Sequence, residues 1–180
     1  MAEVSADAAL VAAIVDSGVD MFAFDWDMTI TSVHCYNSRV QPEDVPGRWT
    51  SDIPDAEDFA SVLNAIQAAG RHWCIVTFGQ KDVVQAYLQQ LGFEEDHCLI
   101  CSPLGPGERY SQAKAPPKDK NDMLVDVVRL KGLPALDRLV LFDDDGRNVM
   151  AAQGAGFRAV TVDPGRGMSA PLFLEYLQRG

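Results

Sequence analysis

Short apolar runs alternate with helical patterns along most of this chain. The runs are rich in aliphatic, β-branched and aromatic residues, which favour buried strands, and they lie at Met21–Phe24, 73–76, 98–101, 139–142 and 157–162. Between them, apolar positions recur at helical spacing within 59–66, 83–88 and 123–128. This repeated alternation predicts an α/β fold in which helices cover both faces of a parallel sheet.

Glycines and irregular stretches set the limits of these elements. Left-handed C-caps are expected where glycines follow helical segments, at Gly70, Gly92, Gly132 and Gly156. The stretches 31–54 and 103–119 have no regular pattern and are predicted to be loops. Neither is long enough to form an independently folded cap, so residues 1–180 are predicted to form a single domain.

The N-terminus predicts an amphipathic helix rather than an export signal. Apolar residues recur at helical spacing from Ala8 to Val15, and Glu3, Asp7 and Asp16 stand where a signal peptide has basic residues. Without an export signal, the four cysteines are expected to be reduced thiols in a cytoplasmic protein. The net charge of −11 gives no general attraction to nucleic acids or anionic membranes, so neither is an expected partner.

Acidic residues follow two of the predicted strands. Asp25 and Asp27 come directly after Met21–Phe24, and Asp143, Asp144 and Asp145 follow 139–142. Residues two apart in an extended chain point the same way, so Asp25 and Asp27 can address one site at the carboxyl end of the sheet. Crowded carboxylates require a cation, and hard oxygen ligands suit Mg²⁺, whereas Zn²⁺ prefers histidine and cysteine.

Such a site predicts phosphate chemistry. The metal would offset the repulsion between a carboxylate and an anionic phosphate, so that one aspartate attacks phosphorus and forms an acyl phosphate. Asp27, when protonated, would donate to the leaving oxygen and later take a proton from water.

These motifs resemble those of the haloacid dehalogenase-like (HAD) superfamily. The DxDxT motif is matched by Asp25, Asp27 and Thr29, the strand ending in serine or threonine by Thr77, and DDxxxN by Asp143, Asp144 and Asn148. The motif lysine has three candidates, Lys114, Lys118 and Lys120. Lys120 is favoured because it precedes a helix, and the stretch from it to Asp144 is similar to the small magnesium-dependent phosphatases; Lys118 is second.

The resemblance implies a role for each matched residue. Asp25 is nucleophile and metal ligand, Asp27 adds its backbone carbonyl to Mg²⁺, and Asp144 is a further ligand with Asp143 beside it. Asn148 steadies that loop, and Thr77 and the lysine hold the phosphate. Further substrate contacts are expected from Thr29, Phe78, Gly79 and Lys118. The implied fold is a Rossmann-like three-layer domain of strand order 3-2-1-4-5 with a minimal cap, and 31–54 is a candidate small cap or substrate loop.

The predicted function is a Mg²⁺-dependent phosphatase acting on a phosphorylated small molecule or a phosphoprotein. A phosphotransferase or phosphomutase with the same intermediate, and a catalytically silent phosphate-binding module, are the alternatives. Tyr36, Arg39 and Trp49 are candidate substrate contacts, as is His34, whereas His72 and His97 are scattered elsewhere. Trp26 is predicted to pack in the core, and Cys98 and Cys101 to be structural thiols rather than half of a zinc site.

Overall fold

The structure is a computed structural model that describes residues 6–94 and 98–179. Glu3 and His97, both named above, lie outside the described residues. All elements given below belong to the described ranges.

The described residues form a five-stranded parallel sheet of order β3-β2-β1-β4-β5. Its strands are β1 (Met21–Phe24), β2 (His72–Val76), β3 (Leu99–Cys101), β4 (Leu139–Asp143) and β5 (Arg158–Thr161). The predicted sheet and strand order are therefore confirmed, and the predicted strand ends differ from the observed ones by at most one residue. Strand β1 lies in the centre, where Phe24 is paired with Ile75 on one side and Phe142 on the other.

Seven α-helices are present in the described ranges and cover both faces of this sheet. They are α1 (Ala6–Asp16), α2 (Trp49–Asp52), α3 (Ala56–Ala68), α4 (Lys81–Gln90), α5 (Asn121–Lys131), α6 (Gly146–Gly154) and α7 (Ala170–Leu177). One face buries Phe22 and Phe24 against residues of α1, α3, α4 and α7. The other buries Met21 and Ala23 against residues of α5 and α6. Alternate residues of one strand thus serve two cores, which is why the strands read as continuous apolar runs.

Two features of the chain differ from the sequence expectations. The predicted loop 31–54 contains a 3₁₀ helix at Pro42–Gly47 as well as α2, so the loop prediction was wrong for that part. Pro42 at its start and the Asp44 carboxylate, which accepts a hydrogen bond from the Gln41 backbone at 2.9 Å, stabilise this turn locally. Helix α7 has no counterpart among the predicted helices, because its short apolar pattern is not distinctive.

The glycines end helices as expected. Gly70, Gly92, Gly132 and Gly156 all have positive φ angles, from 62° to 96°. No described helix is both long and apolar enough to cross a membrane. Strands β1 and β4 are neighbours, so the acidic residues that follow them meet at the same edge of the sheet.

Candidate active site

Asp25 begins the site at the carboxyl end of β1. Its backbone N–H donates to the carbonyl of Phe142 at 2.9 Å, which extends the pairing of β1 with β4 by one residue. The chain then turns sharply, with Met28 in the left-handed region at φ 65°. This turn brings the Thr29 hydroxyl back to donate to Asp25 Oδ2 at 3.2 Å. Thr29 also accepts a hydrogen bond from the Asp144 backbone at 3.1 Å, so it ties the two acidic segments together.

Lys120 supplies the positive charge of the site. Its side chain is only 2% exposed, and its ammonium group pairs with Asp25 and, at 2.8 Å, with Asp143. The Phe78 ring covers it, with the ring centre 5.5 Å from Nζ. Lys118, the second candidate for this position, is exposed to solvent. The fold therefore brings Lys120, and not Lys118, to Asp25.

Asp143 is held from several sides at the end of β4. Its carboxylate accepts hydrogen bonds from the Asn148 side chain at 3.1 and 3.2 Å and from the Asp145 backbone at 2.9 Å. Asn148 lies in the first turns of α6, five residues after Asp143, and is buried. These contacts fix the loop between β4 and α6.

The carboxylates and Lys120 form an electrostatically coupled group. Burial raises the pKa of Asp25 and Asp143, and the Lys120 charge opposes that rise. Burial, and then the charge of Asp143, raises the pKa of Asp144. Burial alone would lower the pKa of Lys120, but the two aspartates outweigh it and raise the pKa. This group contains three carboxylates and one ammonium group, so the positive charge of Lys120 does not balance the negative charge of the aspartates.

The acidic cluster suits a hard divalent cation. Asp25, Asp143 and Asp144 each offer a carboxylate oxygen, and these oxygens lie within 4.8 Å of one another. An all-oxygen set with an excess of negative charge fits Mg²⁺. The carboxylate of Asp27 does not belong to this cluster.

Asp27 is oriented by the chain that follows it. Its two carboxylate oxygens accept hydrogen bonds from the backbone N–H groups of Cys35 at 3.0 Å and Tyr36 at 3.3 Å. Burial raises the pKa of Asp27, although both of these hydrogen bonds act against the rise. Asp27 and Asp25 nevertheless line the same cavity.

A cavity of about 400 Å³ opens above these residues. Thr77, Phe78 and Gly79, which follow β2, form part of its wall. The Thr77 hydroxyl accepts a hydrogen bond from the Gly79 backbone at 2.9 Å, which leaves its own proton free to point into the cavity. A Cβ at residue 79 would lie 3.3 Å from that hydroxyl, so glycine permits the close approach. His34, Lys120, Asp143, Asp144 and Asn148 also line the cavity, whereas Thr29 and Lys118 do not.

Several lining residues were not identified from the sequence. They include Asn37, Tyr110, Pro116 and Arg147. Tyr110 and Pro116 come from the loop 103–119, where an aromatic residue among prolines and glycines was the available signal. Arg147 lies at the mouth, paired with Asp145 at 2.6 Å and highly exposed.

The remaining candidates are divided between the cavity, the core and the surface. Tyr36 lines the cavity, but the exposed Arg39 does not. Trp49 packs against the core and borders a separate surface pocket. Trp26 is buried and packs on Tyr87 as predicted, with ring centres 5.6 Å apart. None of the four cysteines forms a disulfide, and His72 lies at the opposite end of the sheet, at the start of β2.

Comparison with solved structures identifies the fold. The HAD domain of the effector protein Lem4 from Legionella pneumophila matches with a TM-score of 0.56 at 14% identity, over 89% of this chain and 94% of that one. The 3-deoxy-D-manno-octulosonate 8-phosphate phosphatase from Moraxella catarrhalis, solved with magnesium, phosphate and KDO, matches with a TM-score of 0.55 at 17% identity. That match covers 95% of this chain and 91% of the phosphatase.

A larger protein contains a similar unit. DsGPDH of Dunaliella salina matches with a TM-score of 0.57 at 13% identity over 89% of this chain, which spans only 27% of that protein. No family model and no curated protein matches this sequence. The chain thus has a HAD-like fold, and the resemblance drawn from its motifs is confirmed at the level of the fold.

Proposed function

We propose that this protein is a Mg²⁺-dependent phosphatase that hydrolyses phosphate monoesters through a phosphorylated Asp25. The observation that carries the proposal is the buried ammonium group of Lys120, which bridges Asp25 and Asp143 at the base of the cavity. A buried lysine between two carboxylates holds a nucleophile and provides positive charge for an incoming phosphate.

In the first half of the reaction, a carboxylate oxygen of Asp25 attacks phosphorus and the bond to the ester oxygen breaks. Thr77 donates a hydrogen bond to a phosphoryl oxygen, and Lys120 offsets the negative charge on the phosphate. Asp27, protonated, gives its proton to the leaving oxygen, and the alcohol departs. Asp25 then carries the phosphoryl group as an acyl phosphate.

In the second half, Asp27 acts as a base. Its carboxylate takes a proton from water as the water oxygen attacks phosphorus, and the bond from phosphorus to Asp25 breaks. Inorganic phosphate leaves, and Asp25 and the protonated Asp27 are restored. Both aspartates line one cavity, and Thr29 and Asn148 hold the neighbouring acidic segments in place.

Mg²⁺ would be held by Asp25 and Asp144, with Asp143 beside them, and by the backbone carbonyl of Asp27. It would neutralise the excess carboxylate charge and the charge of the phosphate. The similar Moraxella phosphatase was solved with a magnesium ion and a phosphate ion, which supports the choice of metal and of phosphate chemistry. The substrate is a phosphorylated small molecule or a phosphoprotein, and a single cytoplasmic domain remains the prediction for this chain.

The test is release of phosphate from para-nitrophenyl phosphate with Mg²⁺, and then with EDTA. Wild-type turnover should require the metal, and Asp25→Asn should reduce it by about 10³-fold or more, because the nucleophile is lost. The matched control is Asp126→Asn on α5, where the side chain is 74% exposed and its removal should change nothing. Turnover that survives in Asp25→Asn would contradict the proposal.

The same assay separates the alternatives. A phosphatase releases one phosphate for each nitrophenol, whereas a phosphotransferase with an added alcohol acceptor makes less free phosphate than nitrophenol. A folded wild-type protein that binds Mg²⁺ but turns over none of a broad panel of phosphate esters would support the silent binding module.

A further inference from the structure

Four contacts join the loop 103–119 to Tyr36, and one of them is between the rings of Tyr36 and Tyr110, whose centres are 5.5 Å apart. Arg109 Nη2 donates to the Tyr36 carbonyl at 3.0 Å, and the Arg109 guanidinium lies 4.2 Å from the centre of the Tyr36 ring. The backbone N–H of Tyr110 donates to the Tyr36 hydroxyl at 2.9 Å. We call this group of Arg109, Tyr110 and Tyr36 the Tyr36 clasp. It links segments 73 and 74 residues apart in the chain.

The Tyr36 clasp is connected directly to Asp27 by a hydrogen bond. The backbone N–H of Tyr36 donates to Asp27 Oδ2, and the neighbouring N–H of Cys35 donates to Oδ1. The peptide groups that orient the Asp27 carboxylate therefore belong to the residue that Arg109 holds and to its neighbour. A shift of Tyr36 would move Asp27 with it.

The loop is also anchored next to Thr77, which is proposed to bind the phosphate. The Tyr110 hydroxyl donates to the carbonyl of Phe78 at 2.8 Å, and the Gly107 backbone donates to Asp82 Oδ2 on α4 at 3.1 Å. Phe78 directly follows Thr77. The loop thus has a fixed base from which Arg109 can hold Tyr36, although Arg109 itself is exposed.

We propose that Arg109 is a positioning residue for Asp27. It acts through Tyr36 to keep the Asp27 carboxyl group where, once protonated, it can give its proton to the leaving oxygen. The inference rests on the proposed phosphatase function, because it explains what keeps the general acid of that reaction correctly oriented. General acid catalysis contributes about 10²–10⁴-fold, and small displacements of a catalytic group remove much of such a gain.

A different role for Arg109 would be direct binding of an anionic part of the substrate. Loss of a binding contact raises KM for every substrate that makes it, whatever the leaving group. Loss of acid positioning instead lowers kcat/KM according to the leaving group, because kcat/KM reports the step in which Asp27 protonates the leaving oxygen and not its later role as a base. The loss is greatest when the leaving oxygen is basic and needs a proton. The two roles therefore predict different results.

The experiment compares phenyl phosphate, whose leaving group needs protonation, with para-nitrophenyl phosphate, whose leaving group needs it much less. Arg109→Met should lower kcat/KM about tenfold for phenyl phosphate and less than about twofold for para-nitrophenyl phosphate. Arg109→Lys should recover part of the loss, because lysine can still donate to the Tyr36 carbonyl. Arg129→Met, which removes a highly exposed arginine on α5, is the matched control and should behave as wild type.

A double-mutant cycle with Asp27→Asn tests the path of the effect. If Arg109 acts through Asp27, then Arg109→Met should cause no further loss on phenyl phosphate in the Asp27→Asn background. An equal loss of kcat/KM on both substrates, or additive losses in the cycle, would overturn the proposal.

Hydrogen exchange separates this inference from the proposed function. The amides of Cys35 and Tyr36 should exchange faster in Arg109→Met than in wild type, and at the wild-type rate in Arg129→Met. Unchanged protection would refute the Tyr36 clasp even in an active enzyme. Lost protection in a protein that hydrolyses no phosphate ester, with or without Mg²⁺, would confirm the contact, refute the catalytic role and identify the proposed function as the part that failed.

Discussion

Strand β1 has an aspartate at each end, and the two ends are built in opposite ways. At the amino end, Asp20 accepts hydrogen bonds from Arg138 at 2.7 and 2.9 Å and also pairs with Arg71. At the carboxyl end, Asp25 lies with two other carboxylates, and Lys120 is the cation that pairs with it. One end has two cations for one acid, and the other has three acids for one cation.

The pKa values of Asp20 and Asp25 shift in opposite directions, in keeping with the charges around each. The hydrogen bond from Arg138 lowers the pKa of Asp20, so the charged form is favoured in the folded protein. Burial raises the pKa of Asp25, so its charged form is disfavoured despite Lys120. Arrangements that satisfy every charge stabilise a fold, whereas functional sites often retain unbalanced groups at a cost in stability. The amino end is therefore suited to holding the sheet, and the carboxyl end to binding a cation and phosphate.

The largest effect is expected when the carboxyl end loses its one cation. Lys120→Met leaves Asp25 and Asp143 buried without their shared partner, and should lower the free energy of unfolding in EDTA by about 3–5 kcal/mol. Turnover should also be lost, because no ammonium group would hold the nucleophile and phosphate. Denaturant unfolding and the phosphatase assay measure the two effects. Lys118→Met is the control, and equal destabilisation by both variants would contradict the assignment of Lys120.

A smaller effect is expected at the amino end. Asp20→Asn weakens the contacts with Arg71 and Arg138 and should lower the free energy of unfolding by about 1–2 kcal/mol at pH 7, with kcat unchanged. The lowered pKa means that Asp20 stabilises the fold fully above its unfolded pKa, and that this gain disappears as the pH falls through the folded pKa.

The difference between wild type and Asp20→Asn should therefore be constant from pH 7 to about 5 and shrink below about 4. Unfolding curves over this range measure it. A difference that grows as the pH falls would show that Asp20 does not act through its charge.

The smallest expected change in the free energy of unfolding has the opposite sign to the other two. Asp144 is only half buried, is repelled by Asp143 and has no ion pair among the described residues. Asp144→Asn should raise the free energy of unfolding in EDTA by about 0.5–1 kcal/mol, while it removes most of the stabilisation by added Mg²⁺ and most of the turnover. Thermal unfolding with and without Mg²⁺ tests this. Destabilisation in EDTA would mean that the carboxyl end is not under electrostatic strain.

The sheet could be predicted because its signals are local. Each strand is a short apolar run bounded by turn residues, and all five were found to within one residue at each end. The 3₁₀ helix at Pro42–Gly47 and helix α7 were not predicted, because short helices depend on packing more than on a long periodic pattern. The contact between the cavity-lining residues Tyr36 and Tyr110 was not predicted, because their two loops lie far apart in the chain.

The sequence by itself determined the acidic segments after β1 and β4, and the strand order implied by its motifs agrees with the fold. These features follow from residue spacing and from the rule that parallel strands end at one edge. Only the tertiary structure decided which lysine reaches Asp25, across 95 residues, and that Asp27 is oriented by Cys35 and Tyr36. The irregular chain before α5 has no periodicity to constrain its path, so the placement of Lys120 depends on packing against the completed sheet.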